Sequence, residues 1–219
     1  MFQTIIFDVD GTLLNTEPVY MSAWQEAGAL FGYHVPTEAL LQTRAVNRQV
    51  AEAVFRRYCG ETFDYATVRK ERVRIGEELI RTTDPRQLRM PGALGVLTAL
   101  KEMGYTLAAA TSTPRQESLE HLQRAGLADF FSAVVCGDMI RRGKPEPDIF
   151  LEAARLAGGE PESCLAVGDT PADVLAATAA DMKVVLIPDQ VPPTEEIKAR
   201  SWHCLENLEQ LLAVLRAMG

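Results

Sequence analysis

The chain has 219 residues, 47% of them hydrophobic and 24% charged, with a formal net charge of −8 and an isoelectric point near 5.0. That is apolar material for one sizeable core and a second small module, so a disordered chain is excluded. The acidity argues against non-specific attraction to nucleic acid or an anionic membrane, and no stretch approaches the ~20 apolar residues needed to span a bilayer.

Four cysteines, Cys59, Cys136, Cys164 and Cys204, lie far apart and form no CxxC pair. They read as small core hydrophobes of a reducing compartment. Met1-Phe2-Gln3 enters a short apolar run at once, without the basic region and cleavage site of a secretory leader, so a cytoplasmic location is expected. No feature demands an interface, and a monomer is expected.

In chain order, the first apolar run is Thr4-Ile5-Ile6-Phe7. Then follows an interval without a convincing strand, with helical spacing over Glu17 to Phe31, Thr37 to Leu41, Asn47 to Tyr58 and Tyr65 to Arg81. The charges of the last, Arg69 to Glu78, suit a solvated helix face. After Asp84-Pro85-Arg86 the pattern alternates: helix Ala93 to Met103, run Leu107 to Ala110, helix Pro114 to Ala125, run Ala133 to Cys136, helix Pro147 to Ala157, run Leu165 to Val167, helix Ala172 to Ala179, run Val184 to Ile187. Short, unalternated runs between helices predict a doubly wound parallel sheet, Rossmann-like, with both faces covered. The break in rhythm predicts an all-helical domain over 16–85, inserted after the first strand of a core formed by 1–15 and 86–219.

The sharpest chemical signal is Phe7-Asp8-Val9-Asp10-Gly11-Thr12, directly after the first strand. Two carboxylates two residues apart point to one side of an extended chain, at the strand end where such sheets place ligands. A carboxylate is a competent nucleophile toward phosphorus, and its neighbour can protonate a leaving oxygen and later deprotonate water. The bland alternative is an Asp/Gly-rich turn. The second signal, Val167-Gly168-Asp169-Thr170-Pro171-Ala172-Asp173, puts Asp169 at a strand end and Asp173 on a first helical turn. Asp8 and Asp169 could supply the carboxylate pair that Mg²⁺ takes beside water and phosphate, while Asp173 suits either a metal or the helix dipole. The third is Lys144 in Gly143-Lys144-Pro145, a phosphoryl-binding cation or a solvated loop lysine. The fourth is Thr111-Ser112, a phosphate cradle or a plain helix cap.

Taken together, four strand ends delivering an acid pair, a hydroxyl, a lysine and an acid in that order resemble the haloacid dehalogenase superfamily of phosphohydrolases. The likeness covers nearly the whole chain, including the helical insert, which resembles that family's small helical cap domain. Within the superfamily it points to the branch with phosphoglycolate phosphatase, small sugar-phosphate phosphatases and β-phosphoglucomutase. The resemblance implies a Mg²⁺-dependent phosphatase acting on a small phosphorylated metabolite through an aspartyl-phosphate. Asp8 would be nucleophile and metal ligand, and Asp10 acid/base with its main-chain carbonyl on the metal. Ser112, or else Thr111, would hold the phosphoryl group with Lys144. Asp169 would bind Mg²⁺, and Asp173 would bind or support it. Lys144-Pro145 is a candidate cis bond. Nearby Mg²⁺ and Lys144 would lower the pKa of Asp8. Glu17, Tyr20, Arg44 and Arg48 in the cap are candidate substrate contacts, with Arg48 suited to a second phosphate or a carboxylate.

Three rivals remain at this stage. A carbon–halogen hydrolase needs neither the Asp10 acid nor a metal. A β-phosphoglucomutase-type enzyme would use the same machinery, but the resembling mutase has a histidine where Tyr20 stands and an acidic residue where Gly168 stands. A phospho-receiver would share the acidic pocket, hydroxyl and lysine, but has no reason for the insert or for the Asp8-x-Asp10 pair.

Overall fold

The computed structural model describes residues 2–43, 48–189 and 192–218. The chain divides into two compact units, one built from 1–15 and 85–219 and the other from 16–84.

In the helical unit lie α1 (Glu17–Leu30), α2 (Thr37–Gln42), α3 (Arg48–Cys59) and α4 (Tyr65–Thr82). Its apolar residues meet in a core of their own, with Ala23, Ala27, Phe55, Phe63, Val68 and Ile75 buried. Trp24 lies 4.5 Å from Phe55 between ring centroids, and Phe55 stacks on Phe63 at 5.1 Å. Such pairs contribute about 0.5–1.5 kcal/mol each beyond the area they bury. Asp64 caps α4, its carboxylate accepting from the Thr67 amide at 3.1 Å.

The other unit holds a six-stranded sheet, wholly parallel, in the order β3-β2-β1-β4-β5-β6. The strands are β1 (Thr4–Phe7), β2 (Thr106–Thr111), β3 (Ala133–Cys136), β4 (Cys164–Gly168), β5 (Lys183–Leu186) and β6 (His203–Cys204). Flanking them are α5 (Ala93–Glu102), α6 (Arg115–Arg124), α7 (Asp148–Ala157), α8 (Pro171–Ala179), α9 (Glu195–Arg200) and α10 (Glu209–Arg216). All four residues of β1 and all five of β4 are buried, which is why these runs carry no polar alternation. Ile6, Ala108, Val135, Phe150, Ala166 and Leu186 belong to one packed cluster. The doubly wound, Rossmann-like class expected from the run of strands is the class observed.

The tail was not legible. α9 and β6 carry no apolar run, because β6 is a two-residue edge strand and α9 only six residues long, and the run Leu211 to Leu215 of α10 stands alone at the end of the chain. At this edge Trp202 packs on Phe2 at 5.3 Å, with Lys183 over its ring at 5.2 Å. One cysteine expectation needs correcting here. All four thiols are unpaired and Cys136 and Cys164 are buried, but Cys204 is exposed on the edge strand. Among the described residues, no helix is long and apolar enough to cross a membrane.

Candidate active site

The strand order 3-2-1-4-5-6 reverses direction between β1 and β4, so their carboxyl ends open a crevice. Asp8 follows β1 and Asp169 follows β4, which puts both carboxylates at that crevice. The amide of Asp8 still donates to Val167 O at 2.8 Å, extending the ladder and anchoring the residue. Both side chains lie in buried residues, Asp8 at 7% and Asp169 at 6% exposure.

Beyond Asp8 the chain doubles back. The amides of Leu13 and Leu14 donate to Val9 O, and Gly11 N donates to Leu14 O at 2.8 Å. Gly11 has φ +86°, and a Cβ there would fall 2.5 Å from Asp169 Oδ2. Glycine is needed both for the left-handed backbone and for the room. Thr12 donates to Asp169 Oδ1 at 3.0 Å, so this turn also holds the acid of β4 in place.

Lys144 is not a solvated loop lysine. Its side chain is only 6% exposed, and Nζ lies 2.5 Å from Asp8 Oδ1 and 2.7 Å from Asp173 Oδ1. It also donates to Ala110 O at 2.9 Å, and it lies over the Phe150 ring at 5.2 Å. The Lys144-Pro145 peptide is cis. Arg142 pins the loop by a forked contact to Asp148 at 2.7 and 3.2 Å, at the start of α7. Asp173 closes a capping box at the start of α8. Its Oδ2 accepts from Thr170 N at 3.0 Å and Thr170 Oγ1 at 2.6 Å, while Thr170 Oγ1 caps the Asp173 amide. Gly168 makes room for it, since a Cβ at 168 would lie 2.5 Å from Asp173 Cβ.

On the hydroxyl side of the site, Asp10 is held by Thr111 and Thr113. Ser112 is exposed, whereas Thr111 is buried and donates to Asp10 Oδ2 at 3.2 Å. Thr113, which the sequence reading passed over, donates to the same oxygen at 2.8 Å. The signal for Thr113 was its two-residue spacing from Thr111.

Charge and burial compete at Asp8. Burial raises its pKa from 3.8 to about 7, against the lowering by Lys144 and with a further rise from Asp173. The expectation of a lowered pKa therefore fails for the chain alone, where desolvation outweighs the lysine. Burial works the other way on Lys144, but Asp173 and Asp8 together carry its pKa above the ordinary value. In the unfolded chain Asp8 ionises near 3.8, so folding takes up a proton between 3.8 and about 7. The metal-free fold loses stability through this group as pH rises across that window. An Asp8→Asn variant escapes this loss. In EDTA its melting temperature relative to wild type should rise across the window and level off above it. A difference constant with pH would refute this.

Asp8, Asp169 and Asp173 each offer a carboxylate oxygen within 4.8 Å of the others, all in buried residues. Hard oxygen donors in a small cluster fit Mg²⁺, which takes one or two carboxylates and completes its shell with water and phosphate. Both oxygens of Asp173 are engaged, by Thr170 and by Lys144.

The helical unit contains cavities of its own. One of about 320 Å³ is lined by Trp24, Thr43, Arg48, Phe55, Tyr65 and Arg72 among others. A second, about 190 Å³, is lined by Glu17, Tyr20 and Arg72 among others. Arg48 pairs with Glu52 at 2.7 Å, and Arg72 sits 4.0 Å from the Tyr20 ring centroid. Arg44 lies outside the described residues.

Comparison with known proteins adds three findings. Residues 2–181 match the family model described as haloacid dehalogenase-like hydrolase. The chain is 30% identical over 186 residues to the "Phosphorylated carbohydrates phosphatase" of Thermotoga maritima, covering 83% of this chain and 82% of that one. It is 30% identical over 217 residues to "Hexitol phosphatase A" of Escherichia coli, covering 98% and 95%. Among solved structures, CbbY from Rhodobacter sphaeroides in complex with phosphate superposes with a TM-score of 0.78 at 27% identity over 96% of each chain.

Proposed function

The chain belongs to the haloacid dehalogenase-like hydrolases and is a phosphoric monoester hydrolase, and from that premise we propose that it dephosphorylates a small phosphorylated sugar or sugar alcohol through an aspartyl-phosphate on Asp8. The observation that carries this reading is the buried Asp8 carboxylate at the sheet's switch point, 2.5 Å from Lys144 and close to Asp169. The substrate class is taken from relatives named for phosphorylated carbohydrates and hexitols.

In the proposed cycle an oxygen of Asp8 attacks phosphorus, the bond from phosphorus to the ester oxygen breaks, and Asp10 delivers its proton to the departing alkoxide. Asp10 then takes a proton from water, whose oxygen attacks the aspartyl-phosphate and releases inorganic phosphate. Lys144 holds phosphoryl oxygens and offsets the charge that spreads over them. Ser112, directly after β2, is the proposed hydroxyl of the phosphate site, since the Thr111 hydroxyl is directed at Asp10. Mg²⁺, held by Asp8 and Asp169 with the Asp10 carbonyl and supported by Asp173, would supply electrostatic stabilisation of the phosphoryl group. Glu17, Tyr20 and Arg48 are proposed substrate contacts because they line the helical unit's cavities.

The mutase alternative is disfavoured at one position. The space that an acidic side chain at 168 would need is filled by Asp173. The test is a panel of sugar and hexitol phosphates, sorbitol 6-phosphate included, incubated with purified protein and Mg²⁺. Release of inorganic phosphate from some members is expected. Conversion of β-glucose 1-phosphate to glucose 6-phosphate without net phosphate release would overturn the reading.

A further inference from the structure

We propose that Thr113 is a positioning residue that aims the carboxyl of Asp10 at the leaving oxygen, an inference that rests on the acid/base role given to Asp10 above. Two hydroxyls converge on one oxygen of that carboxyl. Thr113 Oγ1 lies 2.8 Å from Asp10 Oδ2 and Thr111 Oγ1 lies 3.2 Å from it. The second hydroxyl is braced by the backbone. The Thr113 amide donates to Thr111 Oγ1 at 3.0 Å, which orients that hydroxyl, and it in turn donates to Asp10 Oδ2.

With two hydrogens directed at Oδ2, the proton that Asp10 transfers is carried on Oδ1. The pair of threonines thus selects which oxygen acts as acid and fixes the rotation of the carboxyl plane. In the first step that proton moves from Oδ1 to the alkoxide as the P–O bond breaks, and Asp8 gains the phosphoryl group. Thr113 acts through its contact with Asp10 and does not itself carry the proton.

Thr113 is held for this task from both sides. Its carbonyl accepts from the Gly137 amide at 3.2 Å, and Pro114, with φ −58°, follows it at the entry to α6. Gly137 packs so closely on the preceding peptide that a Cβ there would fall 2.3 Å from Ser112 O. The loop after β2 therefore has little freedom to shift, and its hydroxyl sits at a set height above Asp10. Small displacements of a catalytic group lower rates steeply, so such support is the kind a proton-transfer site requires.

The test compares esters that differ in their need for an acid. Expulsion of an alkoxide from sorbitol 6-phosphate requires protonation, whereas p-nitrophenolate leaves without it. kcat/KM reports only the steps through formation of the aspartyl-phosphate, so later hydrolysis does not blur the comparison. For Thr113→Val, kcat/KM on sorbitol 6-phosphate should fall about tenfold or more, and on p-nitrophenyl phosphate by less than about threefold. The alkyl-ester loss should appear in kcat with KM within about twofold, and Thr113→Ser should restore it. Thr113→Ala, with the same pattern, guards against a packing artefact of valine, and melting temperatures of all variants should match wild type. Equal losses on both esters, or no loss on either, would overturn the proposal. A wild-type protein inert toward every ester of the panel would instead remove the reading beneath it.

Discussion

Replacing Asp8 by Asn is expected to abolish turnover, with phosphate release falling by about 10⁴-fold or more while the fold is retained. Asparagine matches aspartate in shape, so the close packing at the end of β1 is undisturbed. The amide is no nucleophile toward phosphorus, and it removes an anionic oxygen from the acidic cluster. Lys144 keeps its contact with Asp173 at 2.7 Å, so the lysine is not left without a counter-charge. The measurement is inorganic phosphate released with Mg²⁺ present, beside mass spectrometry of acid-quenched protein. Wild type should gain the mass of one phosphoryl group when mixed with substrate, and the variant should not. Residual turnover above about a hundredth of wild type would remove Asp8 from the nucleophile's role.

Lys144→Met should act on both rate and stability. Lys144, Asp8 and Asp173 have side-chain exposures of 6%, 10% and 2%, so the lysine is a buried counter-ion for two buried acids. Taking away one partner of a buried ion pair leaves an uncompensated charge, and about 3 kcal/mol of stability should be lost in metal-free buffer. Protonation of Asp8, already raised to about 7, limits the damage. Added Mg²⁺ should recover part of the loss by supplying positive charge to the same oxygens. The rate should fall by about 10²–10³-fold, the scale for losing one preorganised group that stabilises transition-state charge. Lys144→Arg should not rescue, because a planar fork cannot occupy the place of a compact ammonium. Unchanged denaturant midpoints in Lys144→Met would show that the two acids do not depend on it.

The sheet was legible because strands buried on both faces must be apolar throughout, and helices between them must carry apolar residues at helical spacing. Thr4–Phe7 and Ala133–Cys136 are the strands the sequence predicts, and helix ends differ from expectation by about a residue, the range over which ends fray. The acidic pairs were legible for a related reason, since a carboxylate directly after such a strand has a fixed address at the sheet's edge. Hydroxyl geometry was not. Whether Thr111, Ser112 or Thr113 faces Asp10 depends on where the chain leaves the pleat, and that is set by packing against Gly137 in another strand's loop. The ionisation of Asp8 was hidden for a different cause. Sequence shows the lysine that lowers its pKa but not the depth of burial that raises it. The final helices escaped notice because their amphipathic stretches are short and the strand between them is an edge pair.

The two tryptophans fall one to each compact unit. Trp24 stands in the aromatic cluster of the helical unit, and Trp202 lies at the rim of the sheet against Phe2. The molecule thus carries two separate optical reporters. With one indole replaced by phenylalanine, the emission of the other records melting of a single unit, so sequential and concerted denaturation can be told apart by fluorescence without any attached dye.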